Sequence, residues 1–460
     1  MQTSKMTSTE RRAVISLSSI MGLRMIGLFM VLPLFSLYAH QLSGATPMLI
    51  GVAMGVYGLS QALLQIPFGV LSDRMGRKPV ILTGLLIFSL GSLLAGLSHS
   101  IWWMIAGRAL QGAGAVGSAT LAMMADLTRE DQRTKSMAIA GISIGFSFSL
   151  AMLLGPLLSK WIAVSSLFYL AVVFGFTAIL ILYTAVPHPA TIRWHRDQEP
   201  ELKSFLKLLV HPELAKLNSG ILILHAIFTA SFIVIPISLY HLAGLQESQQ
   251  WVIYLPTLLI AFILTLACIG FSERKQQIKP YFLGGILTLA IAETLLWLAP
   301  SNLTLAGISL CLFFTGFSLM ESFLPSLISR AAPAARKGSA MGIYACSQFT
   351  GIFLGGVSGG ALYGKFGFTG AYLFCILLAL SWLALAFFMQ PPRYLVNQMW
   401  RLLPEQQHNW DKITAKLNAI PGIVEVTFVA GDGVAYLKME RATTKHPDYL
   451  HLKEHTIGIT

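Results

Sequence analysis

Long apolar runs separated by short polar breaks fill the chain up to residue 390. A membrane-spanning helix needs about 20 mostly apolar residues. Runs of that length fall near 13–39, 48–72, 79–98, 101–125, 135–160 and 164–186. After a polar stretch at 187–215, six more fall near 216–242, 249–271, 278–299, 302–328, 338–363 and 367–390. The pattern predicts an all-α polytopic membrane protein of twelve transmembrane helices in two six-helix bundles, 1–186 and 216–390, joined by a cytoplasmic linker at 187–215. The linker is rich in Pro, His and mixed charge. Its stretch from Glu201 to Leu209 has the pattern of an amphipathic helix lying on the membrane surface.

Composition agrees with this reading. Of 460 residues, 55% are hydrophobic and 11% charged, and the mean hydropathy is +0.68. That is more apolar surface than a soluble fold can hide, so lipid is the implied surround. The formal net charge is +12, but the cations sit in inter-helix loops rather than on one face. They report topology, and a nucleic-acid partner is excluded. Before residue 391, twenty Lys and Arg fall on the side of the N-terminus and only Lys160 and Lys365 on the other. This asymmetry marks the cytoplasmic face and requires an even helix count with both termini inside. The apolar stretch after Lys5, Arg11 and Arg12 has no small-residue cleavage site and reads as a retained first helix. Cys268, Cys311, Cys346 and Cys375 lie in apolar runs without a CxxC pair, so neither a disulfide framework nor a metal site is expected. No ATP-binding P-loop or catalytic constellation is present, so the chain reads as neither an enzyme nor a primary pump, and no cofactor is implied.

The two halves repeat in parallel. Phe29-Met-Val-Leu-Pro33 in helix 1 returns as Phe232-Ile-Val-Ile-Pro236 in helix 7, and Lys78-Pro79 returns as Lys279-Pro280. Met137 and Gly155 match Met341 and Gly359 at one offset. Between helices 2 and 3 stands Gly69-Val-Leu-Ser-Asp73-Arg74-Met-Gly76-Arg77-Lys78, with a worn copy, Gly270-Phe-Ser-Glu273-Arg274, after helix 8. Gly69 and Gly76 permit close backbone approach and positive φ. This G-x-x-x-D-R-x-G-R-K spacing resembles the loop signature of the major facilitator superfamily. Gly107-Arg108-Ala-Leu-Gln111-Gly112-Ala-Gly114 resembles that family's helix-4 motif, R-x-x-Q-G-x-G. The resemblance implies twelve helices with a binding cavity between the halves, alternating access, and a multi-pass protein of a bacterial inner membrane. It further implies a conformational latch at Asp73, Arg74 and Arg77, and an arginine, Arg108, associated with proton coupling. Asp73 faces the N-terminal dipole of helix 11 in this reading, and Asp126 pairs with Arg77, holding an outward-open state. In helix 5 the family's G-x-x-x-G-P-x-x-G-G stands as Ala151-Met-Leu-Leu-Gly155-Pro156-Leu-Leu-Ser159-Lys160. Gly155-Pro156 survives, while Ala151, Ser159 and Lys160 depart from the antiporter pattern.

Charges inside apolar runs cost about 2.5–3.5 kcal/mol each at mid-helix on translocon scales, so the few present are candidates for function. Arg24, midway along helix 1, can bind an anionic group of a substrate or pair with a polar neighbour. Arg108 can stabilise a nearby carboxylate in the cavity or snorkel to the outer surface. Glu321 on helix 10 is the candidate proton carrier, since a carboxyl in apolar surroundings can load and release a proton near neutrality. Glu293 on helix 9, nearer the outer end, is a second candidate for proton coupling; the alternative for either acid is a hydrogen-bonded group holding two helices together. His225, placed near the inner end of helix 7, is a further titratable candidate or a satisfied core histidine. Tyr57, Gln61 and Gln65 recur at i+4 on helix 2 as one polar stripe. With Gln111, they face the cavity or glue helix 2 to helix 11.

Pro391-Pro392 ends the last helix, and the remainder divides as a tail linker with a first strand (391–407) and a soluble cytoplasmic unit (408–460). Residues 394–401 read as a strand, His408–Ala419 as a helix, Ile423–Val429 and Val434–Lys438 as a hairpin across Ala430-Gly-Asp-Gly433, and 446–453 as a helix. This β-α-β-β-α order is similar to a small α+β ferredoxin-like module. Ala419-Ile-Pro-Gly422-Ile-Val-Glu-Val is similar to soft-metal-binding modules of that fold, but the tail holds no cysteine, so metal binding by that route is not expected. The leading functional expectation is a proton-driven secondary transporter exporting amphipathic small molecules by antiport. Phe and Met in helices 1, 4, 7 and 10 suit a broad apolar pocket. The alternatives are a uniporter or symporter for a metabolite anchored by Arg24 or Arg108, and a membrane receptor whose tail senses occupancy. The tail is also a candidate for inhibiting transport or for self-association.

Overall fold

A computed structural model describes residues 6–187, 208–333, 336–389, 395–401, 410–429, 434–440, 443–444 and 446–456. Most of the linker expected at 187–215, including the amphipathic stretch from Glu201, lies outside the described residues, as do Pro391-Pro392 and the 430–433 turn.

Among the described residues, ten helical stretches are long and apolar enough to cross a membrane. Two features reconcile these ten with the twelve expected spans. The fourth span is broken into α5 (Ile101–Ala113) and α6 (Gly117–Asp126), each too short to count. Spans 11 and 12 run together as α13 (Lys337–Phe387), with Gly367 at φ 63° inside it. A straight helix of these 51 residues would extend about 77 Å at 1.5 Å per residue, more than twice the roughly 30 Å hydrocarbon core. The positive φ at Gly367 supplies the bend between the two crossings.

The remaining spans are α1 (Ser8–Phe29) continued by α2 (Leu32–Ala39), α3 (Pro47–Met75), α4 (Arg77–Gly96), α7 (Glu130–Leu158), α8 (Val164–Thr184), α9 (Pro212–His241), α10 (Trp251–Lys275), α11 (Ile278–Leu298) and α12 (Leu303–Ala331). Span 1 breaks at Met30-Val31, just ahead of Pro33, whose ring and missing N–H disrupt the preceding turn. Its repeat partner Pro236 sits inside the unbroken α9. Gly155 on α7 lies so close to the carbonyl of Met30 that a Cβ would collide with it. Gly359 lies against Ala230 of α9 in the same way. The matched glycines thus pack span 5 on span 1 and span 11 on span 7, and the sequence repeat is a structural one.

The two bundles meet from the end opposite the basic loops to mid-span, where Cys346 Sγ of α13 donates to Ala62 O of α3 at 3.4 Å. Gly51 and Gly55 of α3 face Gly356 and Gly360 of α13 backbone to backbone, where no side chain fits. These are two G-x-x-x-G stripes, and small residues let helices approach closely in an apolar medium. At the same end Lys160 Nζ lies 5.0 Å from the ring centre of Trp251, across the bundles. At the other end, where the Lys- and Arg-rich loops lie, Gly338 and Gly342 of α13 have nothing within 4 Å of a built Cβ. The bundles are closed together opposite the basic loops and parted beside them.

The tail forms β1 (Leu395–Arg401), α14 (Trp410–Asn418), β2 (Ile423–Val429), β3 (Val434–Glu440) and α15 (Pro447–Thr456), with an antiparallel sheet ordered β1-β3-β2. This is the α+β order read from the sequence. Ala435, Leu437 and Met439 point into a core with Trp400, Leu417 and Tyr449. The alternate residue Lys438 points the other way and donates from Nζ to Ala332 O at 3.3 Å. That carbonyl caps the C-terminal end of α12, where a cation is favoured by the helix dipole.

Candidate functional site

The N-terminal bundle buries two guanidinium groups. Arg24 and Arg108 are each 3% exposed. Arg108 donates from Nη1 to Gln111 Oε1 at 2.8 Å, and Gln111 passes a bond on from Nε2 to Ser92 Oγ at 2.8 Å. The guanidinium lies 4.6 Å over the Tyr57 ring and 5.6 Å over Phe35, within cation–π range. It is therefore buried rather than snorkelling outward. Gly112 of the same motif touches the Tyr57 backbone so closely that a Cβ would strike its carbonyl. That contact sets Arg108 against the Tyr57 ring. Arg24 donates from Nη2 to Gln61 Oε1 at 3.1 Å and stacks 5.7 Å over Phe88, while its Nε has no partner. Among the described residues, neither arginine meets a carboxylate within 4.0 Å. The polar stripe of α3 therefore turns into its own bundle: Tyr57 and Gln61 meet the arginines. The helix 2–helix 11 contact is made by the glycines and by Cys346 Sγ donating to Ala62 O. Gln65 Oε1 is buried without a partner.

An aromatic row runs from this region to the second bundle. Tyr57 lies 6.4 Å from Phe29, and Phe29 lies 5.1 Å from Phe148 on α7. Phe148 crosses to Phe228 at 5.7 Å and to Phe317 at 6.2 Å. Phe317 lies 5.6 Å from the ring of His225.

His225 and Glu321 come together at the far end of this row. The pair was not legible in the sequence, where α9 and α12 are far apart. His225 lies about 20 Å along α9 from Pro212 at 1.5 Å per residue, mid-span rather than near the inner end as expected, because the helix starts earlier than the apolar run. His225 Nδ1 faces Ile221 O at 3.3 Å, and Nε2 lies 2.9 Å from Gln348 Nε2 and 3.6 Å from Glu321 Oε1. These partners assign the proton to Nδ1 in the neutral ring, leaving Nε2 to accept from the Gln348 amide. Glu321 Oε1 is buried with no hydrogen-bond partner, and so is the Tyr344 hydroxyl on α13. The Glu321 side chain as a whole remains 33% exposed. Gln348, Tyr344 and Phe148 escaped sequence reading. The available signal was Gln348 standing one turn after Tyr344 in an otherwise apolar run.

Glu293 is not part of this group. It is fully buried, and Ser231 Oγ on α9, beside Cys375, lies 2.5 Å from its Oε1 in hydrogen-bond contact, while its Oε2 is buried without a partner. It sits between spans 7, 9 and 12. Gly155 of the helix-5 motif packs at the span-1 break, and Pro156 follows it inside α7.

The loop signature is found on the parted side. Gly76 has φ 93°, as its position between two helices requires. Gly69 differs from expectation: it lies inside α3 with only ordinary contact to Ser118, since nothing from the other bundle reaches it here. Arg77 pairs with Asp73 one turn back and with Asp126 Oδ2 at 3.0 Å. Among the described residues, the expected contact of Asp73 with the start of span 11 is not made, because the bundles are parted there. Asp73 is 62% exposed, and Arg74 beside it is exposed as well.

A model of the Major Facilitator Superfamily matches residues 17–356 and 279–399. The chain is 41% identical over 440 residues to the inner membrane transport protein YajR of Escherichia coli (strain K12), covering 96% of each. It is 24% identical over 343 residues to the multidrug resistance protein MdtH of Salmonella arizonae, covering 74% of this chain and 83% of that one. Among solved structures it is similar to a bacterial homolog of the human lysosomal transporter Spinster in an inward-facing and occupied conformation. The TM-score is 0.68 at 15% identity, over 83% of this chain and 97% of the other. Fold, family model and full-length relative agree: the chain belongs to the major facilitator superfamily of membrane transporters.

Proposed function

We propose that the chain is a proton-driven secondary transporter that exports amphipathic small molecules by antiport from the cytoplasm of a bacterium. The observation that carries this reading is the Glu321–His225 pair, with one buried, unpartnered carboxylate oxygen 3.6 Å from an imidazole nitrogen. The pair can hold one proton as neutral acid beside neutral ring, or as carboxylate beside imidazolium. Losing that proton leaves an uncompensated charge in an apolar surround, which is costly. A state that exposes the pair to water is then favoured when it is deprotonated, and protonation shifts the balance between the two states. The similarity to MdtH, named a multidrug resistance protein, supports export of small molecules. The relative named an inner membrane transport protein supports the compartment. The bias of Lys and Arg toward the parted end supports an orientation in which that end, and both termini, face the cytoplasm. Asp73, Arg77 and Asp126 then form a latch that is released in this arrangement and engages span 11 in the opposite one.

The test is flux in proteoliposomes under an imposed pH gradient. Glu321→Gln abolishes pH-dependent transport and spares substrate binding. Retained proton coupling in that variant removes Glu321 from the mechanism. Transport without proton counterflow favours instead a uniporter, a reading that the two unpaired arginines support.

A further inference from the structure

From the geometry of the first bundle we infer that the transported molecules are organic anions, whose charged group is taken by Arg24 and Arg108 and whose aromatic body lies along the Tyr57–Phe29–Phe148 row. The inference rests on the transport reading above and names its substrate class. Two guanidinium groups are buried in one bundle, and their partners are the neutral oxygens of Gln61, Gln111 and the Ala53 backbone. A buried cation is normally matched by an acid, and among the described residues none stands within 4.0 Å of either. Arg24 Nε is buried and unused. Tyr57 lies 4.6 Å under Arg108, and Gln61, which takes Arg24, follows Tyr57 one turn along α3, so the two arginines are held from one face of one helix.

A carboxylate or sulfonate is the ligand that completes this set. Charge-assisted bonds to guanidinium are roughly twice as strong as neutral ones, so an anion displaces the glutamine oxygens, which hold its place when the site is empty of ligand. The planar fork of arginine suits a flat two-oxygen group. From Tyr57 the row of rings leads away at 6.4 Å and then 5.1 Å per step, a surface for an aromatic body rather than for a sugar or a peptide backbone. The proton pair lies at the other end of the row, so anion and proton are held in opposite bundles without sharing a residue.

The probes are two molecules with one ring system: 8-anilino-1-naphthalenesulfonate, which carries an anion, and N-phenyl-1-naphthylamine, which does not. Fluorescence titration uses the full chain in phosphatidylcholine vesicles. Arg24→Gln and Arg108→Gln are expected to weaken the sulfonate at least tenfold and the neutral probe less than twofold, and Arg24→Lys to restore most of the affinity. Equal loss of both probes, or no loss, overturns the inference. Should the glutamine variants not fold, the unaltered chain decides: 1-naphthoate displaces the sulfonate and 1-naphthamide does not, whereas equal displacement by the amide overturns it. Phosphatidylglycerol added to the vesicles leaves the sulfonate in place if the site serves a substrate. Arginine-dependent displacement by that lipid assigns the site to a headgroup and also overturns the inference. Anion binding that survives in a chain showing no proton counterflow sinks the antiport reading and leaves this one standing. Proton-coupled export confined to neutral or cationic compounds does the reverse.

Discussion

At the scale of single residues, the buried polar groups sort by what they can donate. The Ser231 hydroxyl has one proton and two acceptors, Ile227 O at 2.7 Å and Glu293 Oε1 at 2.5 Å. That conflict is removed if the carboxyl itself carries a proton on Oε1 and donates to Ser231, which then donates to its own helix, with Glu293 Oε2 left buried and unpartnered. Held in this way, Glu293 ties span 9 to span 7, the arrangement of a structural acid. Glu293→Gln should keep stability within about 1 kcal/mol, because an amide donates equally well, whereas Glu293→Ala should cost about 1–3 kcal/mol by removing the bond between spans 9 and 7, Ser231 keeping only its bond to Ile227 O. Thermal unfolding of the two variants, compared with flux, checks this: a Gln variant that folds but loses proton coupling would return Glu293 to the transport cycle. Both acids keep one buried oxygen without a partner; what separates them, alike in sequence as charges in apolar runs, is that Glu293 shares its other oxygen with Ser231 and is fully buried, whereas Glu321 faces His225 and stays 33% exposed.

Among the helices and their junctions, glycine decides how closely segments approach. Gly76 combines φ 93° with ψ 153°, a region essentially closed to side chains. It lets α3 end and α4 begin without a loop, which brings Arg77 back onto Asp73 and across to Asp126. Gly76→Val should cost about 1–3 kcal/mol and detach Arg77 from Asp126. The readout is a lowered thermal midpoint together with reduced flux. A variant of unchanged midpoint and flux would show that this turn tolerates another geometry. Gly112 works by contact rather than by φ, since it seats α5 on Tyr57 and so fixes the ring under Arg108. The breaks at Met30-Val31 and at 114–116 follow from Pro33 and from the close approach of Gly114 to Gly84. They interrupt two spans of the bundle that holds the arginines.

For the molecule as a whole, the structure is one of two arrangements that the transport reading requires. Contact of Asp73 with the N-terminus of span 11 is worth about 1 kcal/mol, roughly a fivefold change in population. Asp73→Asn should therefore reduce flux and leave expression intact. It should also lower, by about fivefold, the yield of a cross-link between Gly69→Cys and Gly338→Cys, which are apart here. Unchanged cross-linking and turnover in well-folded protein would reject the latch. If an anion leaves as one proton enters, each cycle moves two charges, and an inside-negative potential drives it by about 2.3 kcal/mol per charge per 100 mV. Export should then accelerate under a potassium diffusion potential even at equal pH, and indifference to potential would mean that no net charge moves. The tail has its own core and touches the helical part through Lys438 at Ala332. Deleting residues 393–460 should leave the twelve-span core folded, as judged by its elution and thermal midpoint. Collapse of the core would make the tail structural.

Hydrophobic length was enough to give the span count and the paired bundles, because the bilayer imposes one length on every helix, and the placement of Lys and Arg carries the expected orientation. Period and turn residues were enough for the tail, whose strands and helices came out within a few residues of expectation. Arg24, Arg108, Glu293 and Glu321 were visible because a charge in an apolar run is expensive wherever it lies. What each of them meets was settled only in three dimensions. Spacing along one helix does not say which neighbour a side chain faces, so the arginines without acids, the His225–Glu321–Gln348 group and the aromatic crossing through Phe148 emerged only when distant spans packed. The same holds for Asp73: its chemistry is local, but its partner depends on which end of the two bundles is shut.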